Sequence, residues 1–256
     1  MKLDNTVAIV TGAARGIGEG IARKFASEGA RVAIADIDGA AAQKTAAALG
    51  SAAIGVAMDV TDEKAVKAGV AEVAKTLGPP DVLVANAGIQ TVYPVEEFPF
   101  AEWKKLLSIH LDGAFLATQA CLPHMYKKGA GAIIYMGSVL SKDSAVLKCA
   151  YTTAKHGLIG LAQVVSREGA AHGVRANVIC PSFVRTALVD KQIPEQAQAL
   201  GITEEEVVSR IMLGHTVDKQ FTTIAEVAEV ALLFASFPTL ALTGQSLLVA
   251  HGAYME

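Results

Sequence analysis

Thr11-Gly12-Ala13-Ala14-Arg15-Gly16-Ile17-Gly18 is the stretch whose reading decides the fold. It follows a β-rich run, Val7 to Thr11, and opens an Ala-rich helical stretch beginning at Gly18. Glycine lets a chain turn tightly and lets backbone N–H groups approach a pyrophosphate, while a helix N-terminus adds a favourable dipole. The spacing is G-x-x-x-G-x-G, not the common G-x-G-x-x-G, and alone it would also describe an ordinary strand-to-helix turn. Asp36 supplies a second element. It closes the next β-rich run, near the place where an acidic residue accepts ribose hydroxyls. A carboxylate there repels a 2′-phosphate, so NAD is expected rather than NADP. The competing reading makes Asp36 a solvated helix cap, a task that Asp38 can perform instead.

Outward from the loop, short β-rich runs alternate with helical stretches. Strands are expected at 7–11, 31–36, 53–59, 82–86, 132–136, 175–180 and 246–249, and helices at 18–28, 39–49, 63–77, 100–124, 150–172 and 224–234. Strands that alternate with helices build a parallel sheet through right-handed crossovers. The expected fold is therefore α/β: a doubly wound, Rossmann-type parallel sheet with helices on both faces, in a single domain spanning 1–256. Ligands of such sheets sit at the carboxyl ends of the strands, where Asp59-Val60 and Asn86-Ala87-Gly88 also fall. Only Ser182 to Phe221 breaks the rhythm, with two helical patterns, at 194–200 and 203–213, and no strand. A long excursion of this kind reads as a substrate lid, or else as a surface insertion.

Bulk properties agree with this picture. Hydrophobic residues make up 52% of the chain and charged ones 18%, which excludes disorder. The net charge is −3 and the basic residues are dispersed, so neither nucleic acid nor a membrane surface is an expected partner. No apolar run reaches the roughly 18 residues of a membrane span, and Met1 to Asn5 lead straight into a strand-like run, so no secretory leader is expected. Three cysteines without C-x-x-C spacing fit reduced thiols in a cytoplasmic protein.

The chemistry resides in the second half. Tyr151 and Lys155, four apart, share one face of a helical stretch, and Ser138 ends the strand before it. Reducing a carbonyl requires a proton donor beside the oxygen that gains charge. A phenol of pKa near 10 becomes a usable acid or base only where a cation favours its phenolate. A serine hydroxyl can hold the substrate oxygen. Alone, a Tyr and a Lys four apart are background; with Ser138 and the glycine loop in order they read as catalytic.

Together these residues resemble the short-chain dehydrogenase/reductase family over nearly the whole chain. The matching motifs are Thr11 to Gly18, Asn86-Ala87-Gly88, Ser138, Tyr151-x-x-x-Lys155 and Asn177 to Pro181. The resemblance implies hydride transfer between NAD and a carbonyl or secondary alcohol. In it Tyr151 is the acid/base, Lys155 its partner and a ribose ligand, Ser138 the substrate-oxygen donor, and Thr186 the contact to the nicotinamide amide. The same resemblance implies cofactor contacts at Thr11, Gly12, Arg15, Gly16, Ile17 and Gly18. It implies others at Asp36, Asp59, Val60, Asn86, Gly88, Pro181 and Val184. His110 stands where the family usually has a catalytic Asn. Either it holds the proton-relay water through a ring nitrogen, so that its charge matters, or it merely fills the helix interior.

Within the family the chain is most similar to bacterial 3-hydroxybutyrate dehydrogenases, through Asn86 to Gln90, Pro94 to Pro99, Ala154 to Gly157 and Leu188 to Ile193. Such enzymes hold the substrate carboxylate with two glutamines, a histidine and a lysine; Gln90, Gln192 and Lys148 fall on three of those positions. Lys148 precedes Tyr151 by three residues and can face the same pocket. Leu140 replaces the expected histidine, Phe183 a tryptophan, and Ala253 a closing aromatic. A roomier, more apolar pocket is expected, suited to a longer or bulkier 3-oxo acid or its ester; the missing carboxylate partner costs about 1–3 kcal/mol of binding. Two alternatives stay open: a broad reductase of neutral ketones or polyols, and a dinucleotide-binding regulator without catalysis. Halohydrin-type elimination needs an arginine in place of Lys155. The six histidines (110, 124, 156, 172, 215, 251) show no metal-ligand spacing, so no metal is expected. The resemblance also implies a homotetramer.

Overall fold

The structure, a computed structural model, describes residues 1–255. The β-rich runs form β1 (Val7–Thr11), β2 (Arg31–Asp36), β3 (Ala53–Ala57), β4 (Val82–Ala85), β5 (Gly131–Met136), β6 (Val174–Pro181) and β7 (Ser246–Val249). All pair in parallel in one sheet of order β3-β2-β1-β4-β5-β6-β7. The chain winds outward in one direction through β3 and in the other from β4, which places a crevice at the carboxyl ends of β1 and β4. Side chains alternate along each strand. Ala8 and Val10 therefore pack on one face and Val7 and Ile9 on the other, and both faces are dry.

Helices α1 (Gly16–Ser27) and α2 (Gly39–Leu49) cover the first face together with a late helix, Ile224–Ser236. Phe25 of α1 and Phe234 of the late helix are fully buried there. The second face is covered by α3 (Glu63–Thr76) and by a long helical run that follows β4. That run corrects the expectation of one helix over 100–124. It consists of α4 (Phe100–Leu107), a wide π turn over Ser108–Asp112, and α5 (Gly113–Lys128), closed by Gly129 in the left-handed region. A π turn takes one residue more than an α turn and is common at functional sites; here it carries His110. Behind it, α6 (Cys149–Gly169) presses Leu158, Ala162 and Val165 onto the sheet.

Strands β3 and β4 stop short of Asp59 and Asn86, which turn off the sheet into the crevice. Beyond β6 come α7 (Ala187–Leu200), the single turn α8 (Glu204–Glu206) and a second π turn over Val207–Met212, before α9 (Ile224–Ser236). Helix α7 thus begins well before the expected 194. This excursion has its own small core of Val189, Ile193, Ala197, Val207 and Met212. Its ends are pinned to the sheet. Val184 bridges Thr222, Thr222 Oγ1 donates to Val249 O at 3.0 Å, and Val217 N donates to His251 O at 2.9 Å. His251 adds a charged tie, with Nδ1 2.7 Å from Asp218 and Nε2 3.3 Å from Glu226 at the start of α9. Asn177, part of the motif read from sequence, is scaffolding: it donates to Leu242 O (3.0 Å) and accepts from Gln245 N (3.0 Å), fixing the approach to β7. Among the described residues no helix is long and apolar enough to cross a membrane.

Candidate active site

The carboxyl ends of the strands open into one cavity of about 1230 Å³, above the roughly 300–1,000 Å³ usual for one small ligand. Gly12, Arg15, Gly16 and Ile17 form its floor. Gly12 and Gly16 lie at φ +61° and +63°, and a Cβ on Gly12 would stand 2.7 Å from Ala87 Cα, so the tight loop requires glycine. Helix α1 starts with Arg15 as its N-cap and no side-chain cap bond, which leaves its first N–H groups free for an anion. Thr11 and Gly18 do not line the cavity. Thr11 Oγ1 instead accepts from the N–H groups of Asn86 (3.0 Å) and Ala87 (3.1 Å), and a Cβ on Gly18 would meet Gly12 O at 2.5 Å. Asn86 lines the cavity while its Nδ2 donates to Thr11 O (2.9 Å) and Gly12 O (3.1 Å).

Asp36 is buried at the rim. It accepts from Ala14 N at 3.0 Å and Asp38 N at 3.1 Å, and a carboxylate retains further acceptor sites. Asp38 is the residue that caps α2, accepting from Ala41 N at 3.0 Å. Asp59 and Val60 extend the wall from β3, Gly88 from β4, and Pro181, Val184 and Thr186 from β6.

Ser138, Tyr151, Lys155 and His110 meet in the same cavity. Ser138 Oγ accepts from Leu140 N at 3.2 Å, so its own proton remains available to donate. Lys155 Nζ donates to Met136 O at 2.5 Å and lies 5.2 Å from the centre of the Tyr151 ring. Burial lowers Lys155 to about 7 and pushes Tyr151 up to about 12, the Ser138 hydroxyl easing the latter. The His110 ring meets Tyr151 edge-on at 5.4 Å. Its Nε2 lies 2.8 Å from Ile89 O and 3.1 Å from Ile89 N, and its Nδ1 is buried without a partner. Burial and then the Lys155 charge lower His110 to about 3, so the ring is neutral at physiological pH. A void of about 10 Å³ lies between His110 and Lys155, close to the roughly 10–15 Å³ that one water needs.

Lys148, the N-cap of α6, is only 5% exposed. Its Nζ donates to Gln192 Oε1 at 3.3 Å and sits 4.9 Å over the Phe183 ring. No carboxylate pairs with it among the described residues, and burial lowers it to about 8. Gln90 is buried with both amide atoms unpartnered. Leu140 lines the same space.

Residues 6–197 match the family described as short chain dehydrogenase. The chain belongs to the short-chain dehydrogenase/reductase family. It is accordingly an oxidoreductase acting on CH–OH groups, in a family of nicotinamide-dependent enzymes. It is 37% identical to D-beta-hydroxybutyrate dehydrogenase of Rhizobium meliloti, over 93% of this chain and 94% of that one. It is 40% identical to D-threitol dehydrogenase of Mycolicibacterium smegmatis over 74% of each chain. It is 33% identical to (3R)-3-hydroxyacyl-CoA dehydrogenase of Mus musculus over 100% of this chain and 98% of the other.

Among the cavity residues of this short-chain dehydrogenase/reductase that were not singled out from sequence are Tyr254 and Gln196. Tyr254 lines the space beside Ala253, so an aromatic is present one residue after the expected place. Gln196 lines it from α7; its spacing of four from Gln192, the same helix face, was the available signal.

Proposed function

We propose that this enzyme interconverts a 3-hydroxy acid and its 3-oxo acid with NAD(H). The supporting observation is Lys148: a buried cation with no acid beside it among the described residues, in the cavity that also holds Tyr151 and Ser138. Burying an unpaired charge is costly, and a substrate carboxylate relieves that cost. Gln90 and the second N–H of Gln192 supply amide donors in the same cavity, and Leu140 and Phe183 shape the apolar remainder.

The glycine loop and the uncapped start of α1 fit a pyrophosphate, and Asp36 fits an unphosphorylated ribose. Asp59, Val60, Asn86, Gly88, Pro181, Val184 and Thr186 carry the rest of the dinucleotide, with Thr186 toward the nicotinamide amide. Bound there, NAD(H) would supply the hydride acceptor or donor for the substrate carbon. Ser138 holds the substrate oxygen by a hydrogen bond from its hydroxyl, keeping its own proton. Tyr151 exchanges a proton with that same oxygen; its high resting value keeps it a phenol until a neighbouring cation favours the phenolate. Lys155, held by burial at about 7, provides one such charge when it carries its proton, and binds ribose. His110, being neutral, works as a hydrogen-bonding group holding a relay water in the adjoining void, not as an acid. Segment 182–221 closes over the substrate as a lid. By the family resemblance and the exposed Phe115 on α5, Val164 on α6 and Leu247 on the edge strand β7, the enzyme assembles as a homotetramer, which size-exclusion chromatography with light scattering tests. We place it in the cytoplasm.

The test follows absorbance at 340 nm with NADH or NADPH and a panel of acetoacetate, longer 3-oxo acids, their esters and neutral ketones. Wild type and Lys148→Ala are compared. The expected result is NADH oxidation on the acids, favouring chains longer than acetoacetate, with kcat/KM falling at least about 10-fold in the variant, since a hydrogen bond to a charged group carries about 1.5–3 kcal/mol. KM for the acids should climb above pH 8 as Lys148 loses its proton, while KM for neutral ketones should not. Turnover of neutral ketones alone, indifferent to the variant, would refute the acid and establish the broad carbonyl reductase.

A further inference from the structure

Gln196 is 3% exposed, and its Nε2 has no hydrogen-bond partner. Leu188, Gln192, Gln196 and Leu200 recur every four residues along α7 and all line the substrate cavity. The adjoining stripe, Val189, Ile193 and Ala197, packs into the excursion's own core. The cavity face of α7 is thus polar at its middle two positions and apolar at both ends. The two amides differ in state. Gln192 is committed within the chain, accepting from Lys148 Nζ at 3.3 Å and donating to Leu188 O at 3.1 Å. Gln196 is not, although an amide this buried is normally paired. An apolar side chain at this position would fill the wall without leaving an unmet N–H group.

We propose that Gln196 is a specificity-determining residue that binds a second hydrogen-bonding group of the substrate, a hydroxyl or amide separate from the acid group. The inference rests on the acid-binding reading above and refines it. With the acid group against Lys148 and Gln192, the second group lies toward Gln196, whose backbone is about 6 Å further along the helix axis. An amide offers both an N–H donor and a C=O acceptor, and a hydroxyl satisfies either. The acid group is already taken up against Lys148 and Gln192, so a substrate with a bare hydrocarbon chain would leave Gln196 as unpaired as it is now. The pocket therefore discriminates by a polar substituent as well as by length.

The experiment compares oxidation, with NAD, of matched pairs that differ by one hydroxyl. The pairs are 3-hydroxybutanoate with 3,4-dihydroxybutanoate, and 3-hydroxypentanoate with 3,5-dihydroxypentanoate. Wild type is run beside Gln196→Leu and Gln196→Met, two near-isosteric variants that remove the unmet polar group. In wild type at least one hydroxylated partner should be favoured by about three- to tenfold in kcat/KM, the value of one neutral hydrogen bond. Both variants should lose that preference, keep kcat/KM for the plain acids within about twofold, and melt no lower than wild type, since replacing an unmet polar group by an apolar one is close to neutral. Equal turnover of the partners in wild type overturns the proposal. So does an equal drop on both members of a pair, or a lower melting temperature, either of which makes Gln196 structural. If no acid is oxidised at all, the acid-binding reading fails by itself. The pair 2-butanol and 1,3-butanediol then tests Gln196 on neutral alcohols by the same comparison.

Discussion

A methyl group added at Gly88 would stand 2.4 Å from Cε1 of His110. Gly88 therefore lacks a side chain partly because an imidazole occupies the space. Gly88→Ala is expected to push the ring from its place between Ile89 and Tyr151, destabilising the protein by about 1–3 kcal/mol, as overpacking does, and lowering kcat. Thermal melting and steady-state kinetics check this, and Gly88→Ala/His110→Asn supplies the control. The smaller amide should restore part of both quantities, whereas strictly additive losses would mean that the clash is elsewhere. Spacing alone cannot show that these two residues share space. The residues legible in the sequence were those whose chemistry is written locally: the glycine loop, Asp36, Ser138, and the Tyr151 and Lys155 pair. Thr11 and Gly18 sit in that same loop, yet they stitch it together instead of facing the cavity. Motif membership does not separate a residue that touches a ligand from one that shapes the loop.

Among the elements, the strands and most helices were readable because apolar periodicity and capping residues mark them. The run from Phe100 to Lys128 was not, since a π turn has no composition of its own. It shows only in the backbone hydrogen bonds over Ser108–Asp112. The excursion after β6 was visible as an absence of strands, but its attachment was not. That attachment includes His251, whose pairing with Asp218 and then Glu226 raises its pKa. A histidine whose folded pKa is raised adds stability that is fully present below its unfolded value, near 6.5, and fades as pH rises through the folded one. Asp218 and Glu226 are lowered, so their share persists until acid protonates them. His251→Asn should therefore lower the melting temperature at pH 6, by about 2–4 °C per kcal/mol lost, and change it less at pH 9. The same deficit at both pH values would show that the ring serves by packing and not by charge.

Across the whole molecule, every strand points the same way, and the residues assigned to chemistry gather at one rim. They come from both windings of the sheet: the dinucleotide loop from β1 and β2, the reacting groups from β5 and α6. The opposite rim is built of short turns, several closed by left-handed glycines such as Gly29, Gly50, Gly78 and Gly129. At Gly50 nothing lies within 4 Å of an added Cβ, and Ser51 beside it is exposed. Lengthening a surface loop costs little, about 0.6 kcal/mol for each doubling. A flexible graft of about twelve residues between Gly50 and Ser51 should therefore keep kcat/KM within about twofold of wild type. The same graft between Ala145 and Val146, at the cavity mouth, should abolish turnover. In engineering terms the molecule has a working side and a handle. An epitope, a dye or a surface anchor fixed to the turn at Gly50 would hold the enzyme with its cleft facing away from whatever it is attached to.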